Sequence, residues 1–153
     1  MFSARIAPTS AGVTGPLYNT DILRLAATIP HQRRLDDPMG SAEKRSPVCG
    51  SRVTVDVDID DAGRVAAIGV LVRACALGQA SASLMAKNAL GKSADELADA
   101  RDALAAWLAG GDSPPGWPGL ELFTPALPHS ARHASIRLAF EAAAEATAQA
   151  AGR

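Results

Sequence analysis

Arg52-Val53-Thr54-Val55-Asp56-Val57-Asp58-Ile59 decides the fold. Val53, Val55, Val57 and Ile59 alternate with Arg52, Thr54, Asp56 and Asp58, the period of two shown by a strand with one buried and one wet face. Asp60-Asp61-Ala62-Gly63 supplies turn residues, and Val65 to Val72 then reads as the partner strand of an antiparallel hairpin. Upstream, the polar stretch His31 to Gly40 reads as a loop feeding a short edge strand around Ala42 to Ser46. The basic residues of that loop have two readings, plain solvation or a patch for docking a partner.

Helices flank this sheet. Asn19 or Thr20 can cap one that carries Ile22, Leu25, Ala26 and Ile29 at helical spacing, and Pro30 stops it because the residue before a proline avoids the helical region. After the hairpin a helix begins at Cys75 or just beyond, and its run Ala80-Ser81-Ala82-Ser83 is small enough for close approach to a neighbour. Ser93-Ala94-Asp95-Glu96 is a capping box opening a helix with Leu97, Leu104, Trp107 and Leu108, which Gly110-Gly111 ends. A Pro/Gly-rich connector runs from Asp112 to about Pro128, and a last helix places Ile136, Phe140, Ala143, Ala144 and Thr147 on one face. The class is therefore α+β: a small, mainly antiparallel three-stranded sheet with helices packed on one face. Residues 1–16 read as a disordered leader and 17–153 as one domain.

Composition narrows the function. A chain of 153 residues can bury a core without disulfide staples. Its net charge of -1 and the lack of a long Lys/Arg block speak against nucleic-acid binding. No apolar run approaches the roughly 20 residues of a membrane span. Aromatics at 4% leave little material for stacking platforms. Two cysteines without an export signal fit a reducing compartment, by default the cytoplasm, where thiols serve as ligands or nucleophiles.

Those two cysteines are the candidate chemistry. Cys49 stands in Ser46-Pro47-Val48-Cys49-Gly50-Ser51, just ahead of the alternating strand, and its neighbouring glycine either frees the backbone to approach an ion or serves a tight turn. Cys75 stands where strand gives way to helix, so free N–H groups and the positive helix end favour a thiolate able to bind metal or accept sulfane sulfur. The alternative for Cys75 is a small buried hydrophobe. His133 falls about 60° from the Ile136/Phe140 stripe and is either an inward imidazole ligand or a helix-start surface residue. No Ser/His/Asp spacing or phosphate-cradling glycine loop supports a hydrolase.

With both cysteine contexts placed, the chain resembles the U-type iron–sulfur cluster assembly scaffold family, the NifU-like N-terminal domain with its SufU- and IscU-like members, and is most similar to the sulfur-mobilisation branch. The matching stretches are Leu17-Tyr18, Ile29-Pro30-His31, Ser46-Pro47-Val48-Cys49-Gly50, Cys75 to Met85, and Ser130-Ala131-Arg132. The resemblance implies that three cysteines and an aspartate surround the metal or nascent cluster. Here the aspartate position, two residues after the first cysteine, is Ser51. The third cysteine position falls at Ser135, with His133 two residues earlier as the substitute ligand. Ser135 also reads as an N-cap for a helix beginning at Ile136, and Ser51 as structural.

Cys49, Cys75 and His133 would hold iron or zinc with an open fourth position, a sulfur-relay geometry in which Cys75 is the sulfur acceptor and any iron–sulfur cluster is labile. The implied partners are a cysteine desulfurase and downstream apo iron–sulfur proteins. The leading expectation is a non-enzymatic scaffold-like protein. Its rivals are a degenerate member acting as a protein-interaction module, a zinc-dependent sulfurtransferase and a Cys49–Cys75 disulfide switch.

Overall fold

A computed structural model describes residues 17–47 and 50–152. The leader expected over residues 1–16 and the loop residue Cys49 lie outside the described residues. Helix α1 (Thr20–Ala27) is capped by Asn19, whose side-chain oxygen accepts the Ile22 N–H at 3.0 Å, and it buries Ile22 and Leu25. Three antiparallel strands follow in the order β1 (Gly40–Arg45), β2 (Arg52–Ile59) and β3 (Val65–Arg73). Helices α2 (Ala76–Asn88) and α3 (Ala94–Leu108) come next, then two 3-10 turns, Leu120–Ala126 and Ser130–Arg132, and α4 (His133–Ala151). Among the described residues, no helix is long and apolar enough to cross a membrane.

The helices share one face of the sheet. α4 lies across β1 and β2 while α2 reaches β3, and Val53, Val55 and Val57 are fully buried beneath them. β1 approaches α4 so closely that a Cβ on Gly40 would run into the Ala146 carbonyl and sit 3.0 Å from the Ala150 nitrogen. Both obstacles are backbone, so neither can rotate away. Gly40→Ala is expected to force the strand off the helix and to cost about 1–3 kcal/mol, read as a lower urea midpoint at unchanged slope.

α2 is buried nearly all round, and its small residues explain how. Ser81 Oγ donates to the Ile136 carbonyl of α4 at 2.6 Å, and Ser83 Oγ donates to the Thr28 carbonyl behind α1 at 3.3 Å. Alanine and serine bring neighbouring backbones close, while each hydroxyl satisfies a carbonyl that would otherwise be buried with less hydrogen bonding.

Two expectations need correction. The connector from Asp112 to Pro128 is not simply a loop: its 3-10 turn buries Leu120, Phe123 and Ala126, and Trp117 donates its indole N–H to the Leu84 carbonyl at 2.9 Å. The polar face of β2 is not uniformly wet either, because Asp56 is fully buried. Residues 31–35 cross the sheet at this point. Val70 donates to the His31 carbonyl at 2.9 Å, and Gly69, opposite Asp56, has no room for a Cβ against the Arg33 carbonyl.

The Asp56 carboxylate accepts two bonds from Arg34, at 2.7 and 3.2 Å, one from the Leu35 N–H at 3.1 Å and one from Ser41 Oγ at 2.6 Å. Burial alone would push its pKa up. The hydrogen bonds and the Arg34 charge outweigh that and hold it below the ordinary carboxylate value. Arg34 thus has a structural task that neither reading of the basic loop foresaw.

Candidate functional site

At one end of the sheet the chain leaves β1, turns, and enters β2. The Ser46 N–H donates to the Ser51 carbonyl at 2.8 Å and the Gly50 N–H to the Ser46 carbonyl at 3.2 Å, with Gly50 in the left-handed region at φ +72°. These bonds fix Ser51 as a buried residue at the start of the strand. At the same end β3 runs into α2, and Cys75 is the N-cap residue of that helix, with extended backbone and no cap hydrogen bond from its side chain. Its thiol is free and half-buried.

Cys75 and Ser51 line one hollow of about 460 Å³, together with Gly50, Val72, Arg73, Ala74 and Gln79. Ser135 reaches the same corner from α4. Its hydroxyl lies 3.1 Å from that of Ser51, a buried contact between residues 84 apart in sequence. In the first turn of α2, Gly78 makes room for this approach: a Cβ there would sit 3.3 Å from the Ser135 carbonyl and 2.7 Å from Ala74 Cβ. The two positions that the resemblance marks as altered ligand positions are therefore neighbours, and both adjoin the Cys75 corner.

Ser135 is not the helix cap that the sequence suggests. α4 begins earlier, at His133, so Ser135 sits inside its first turn with its side chain directed at Ser51. His133 is buried, and its Nε2 lies 3.1 Å from the Ala126 carbonyl and 3.0 Å from that of Leu127. A carbonyl accepts only from an N–H, so this nitrogen carries a proton. The imidazole ties the 3-10 turn to the start of α4, and it does not line the Cys75 hollow.

Among the described residues there is no group of three or more His, Cys, Asp or Glu side chains placed to hold a metal ion. They bring one soft donor, the Cys75 sulfur, and two hydroxyls bonded to each other, which are poor donors for zinc or iron. That set does not fit a resident tetrahedral metal. It does fit a reactive thiol in an accessible corner. Arg73 and Gln79 also line the hollow: Arg73 ends β3, where the sequence carries no motif, and Gln79 lies within the matching stretch Cys75 to Met85 without having been given a role.

A family model, the NifU-like N terminal domain, matches residues 17–115. This chain belongs to that family. The NifU-like chain is also 39% identical to the N-terminal part of a nitrogen-fixing NifU-like protein from Brucella abortus, with a TM-score of 0.85, covering 93% of this chain and 99% of that one. A candidate iron–sulfur cluster assembly scaffold protein for the SUF system, from the thermophile Fervidobacterium islandicum, shares the fold at a TM-score of 0.75 and 16% identity, over 86% of this chain and 96% of that one. A search among curated proteins finds no match. The family and the α+β fold expected from the sequence both stand, the three-stranded antiparallel sheet included.

Proposed function

We propose that this NifU-like chain works in iron–sulfur cluster assembly as a sulfur-accepting protein of the cytoplasm, with Cys75 as acceptor and a cysteine desulfurase as donor. The observation that carries the reading is the free Cys75 thiol at the N-cap of α2, in the corner shared with Ser51 and Ser135. In the step, the Cys75 thiolate attacks the outer sulfur of the donor's persulfide. A new S–S bond forms at Cys75, the donor's S–S bond breaks, and the donor's cysteine leaves as a thiolate.

Iron enters this proposal as cargo. Cys75 would share it with Cys49, one residue ahead of Gly50, and pass iron and sulfur to apo iron–sulfur proteins. His133 would contribute only through Nδ1, its Nε2–H being held by carbonyls in the manner that orients a ligating imidazole. With serine at both altered positions, fewer than four strong donors are present in one chain, so a cluster formed here is labile.

The test is anaerobic reconstitution with ferrous iron and sulfide, followed by absorption spectroscopy. Wild type is expected to give weak charge-transfer bands that a chelator removes within minutes, and Cys75→Ala none. Equal bands in both proteins would sink the proposal. Ser135→Cys, which puts a thiol into the corner, is expected to slow loss of the bands to chelator at least tenfold, because a third sulfur joins the donor set.

The Ser51–Ser135 bond favours a second reading, an interaction module that has exchanged ligands for a structural contact. It predicts that a variant with both cysteines changed to serine still complements a deletion strain.

A further inference from the structure

The strand register places three arginines in one row. Arg45 pairs with Arg52 across β1 and β2, and Arg52 pairs with Arg73 across β2 and β3. Direct cross-strand partners point to the same side of a sheet, here the side away from the helices, and strands lie about 4.8 Å apart, so the row spans roughly 10 Å. Like charges directly opposite one another destabilise a sheet. Arg45 has Glu43 at 2.8 Å, and the charge of Arg52 also acts on that carboxylate, but among the described residues neither Arg52 nor Arg73 forms a salt bridge. The row keeps an excess of positive charge on a chain whose net charge is -1.

Its location matters as much as its charge. Arg45, Arg52 and Arg73 line a hollow of about 500 Å³ with Ser46, Pro47, Gly50 and Ser51, and Arg73 and Ser51 also line the Cys75 hollow. The next row along the same face is Glu43, Thr54 and Leu71, and Leu71 is 41% exposed. A cationic row beside an exposed leucine, leading into the thiol corner, matches a protein segment that carries carboxylates and one apolar residue. A nucleic-acid backbone has no use for the leucine.

We infer that the Arg45–Arg52–Arg73 row docks an acidic surface segment of the sulfur-donating protein, setting the donor beside Cys75. The inference rests on the proposed function for the donor's identity. Charge complementarity supplies the orientation and an encounter rate that falls with salt.

The experiment measures binding of the purified cysteine desulfurase from the same organism to wild type and to the triple variant Arg45→Gln, Arg52→Gln, Arg73→Gln, at low and high salt. Mass spectrometry of Cys75 after turnover reports sulfur arrival. Wild type is expected to bind at least tenfold more tightly than the triple variant at low salt, with the difference shrinking at high salt. A control variant, Arg24→Gln with Arg101→Gln, is expected to bind like wild type. Equal binding and equal sulfur arrival in wild type and triple variant overturn the docking inference and leave the sulfur-acceptor reading intact.

Arginine-dependent binding with no sulfur on Cys75 does the reverse. No desulfurase binding to wild type overturns both. Removing opposed charges should leave the melting temperature unchanged or raised, so the comparison is made on folded protein. If the triple variant melts lower, the single variant Arg52→Gln carries the same comparison.

Discussion

Asp56→Ala is expected to destabilise the protein by about 3 kcal/mol, or roughly 6–12 °C in melting temperature for a domain of this size. The carboxylate lies at zero exposure and gathers four hydrogen bonds from three residues of two segments. Removing it strands the Leu35 N–H and Ser41 hydroxyl and unfastens the crossing of residues 31–35 over the sheet. Arg34 is about half exposed and would keep its charge in water, which is why the figure is placed at the lower end for a broken buried pair.

The pH dependence has a definite sign. The folded pKa of Asp56 is lowered, so its contribution is complete above the unfolded value near 3.9 and is lost as pH falls through the folded value. The stability gap between wild type and Asp56→Ala should therefore be flat from about pH 8 to 5 and narrow below about pH 4. Urea unfolding at a series of pH values measures it. A gap that widened in acid would show that the carboxylate is not held ionised by these partners.

Replacing Cys75 with serine is expected to abolish sulfur uptake, lowering single-turnover transfer from a persulfidated donor at least a thousandfold. A hydroxyl is a poor nucleophile towards sulfane sulfur at neutral pH, whereas a thiol ionises readily. The exchange is nearly isosteric, and serine is a favoured N-cap, so α2 should be retained or strengthened. Unchanged far-ultraviolet circular dichroism with no sulfur-adduct mass on the chain is the expected pair of results. Retention of sulfur on the Cys75→Ser protein at the wild-type rate would move the acceptor elsewhere in the chain.

How far the sequence reveals this molecule differs from element to element. β2 is plain because burial on one side imposes a period of two, and Val53, Val55 and Val57 obey it. The same pattern misleads at Asp56, since alternation reports which side a residue faces and nothing about what covers that side. The 3-10 turn at Leu120–Ala126 hides because Gly119 and Pro125 look like loop punctuation, although Leu120 and Phe123 belong to the core.

The candidate site is legible in pieces. Motif spacing marks Cys75, and family resemblance marks Ser51 and Ser135 as related positions. Only folding shows that their hydroxyls touch. The arginine row is invisible until register is known, because Arg45, Arg52 and Arg73 are separated by a loop and a hairpin.

The two serines that fasten α2 on opposite flanks, Ser81 to α4 and Ser83 to the segment behind α1, have a mechanical consequence for Cys75. A sulfur that grows by one atom needs space, and a helix anchored on both sides supplies an unyielding wall. The give must come from across the gap, where exposed Gly50 lines the same hollow as Cys75. Loading the thiol should accordingly loosen protection of the Gly50 amide, which donates to the Ser46 carbonyl, while the opening residues of α2 stay as slow to exchange as before.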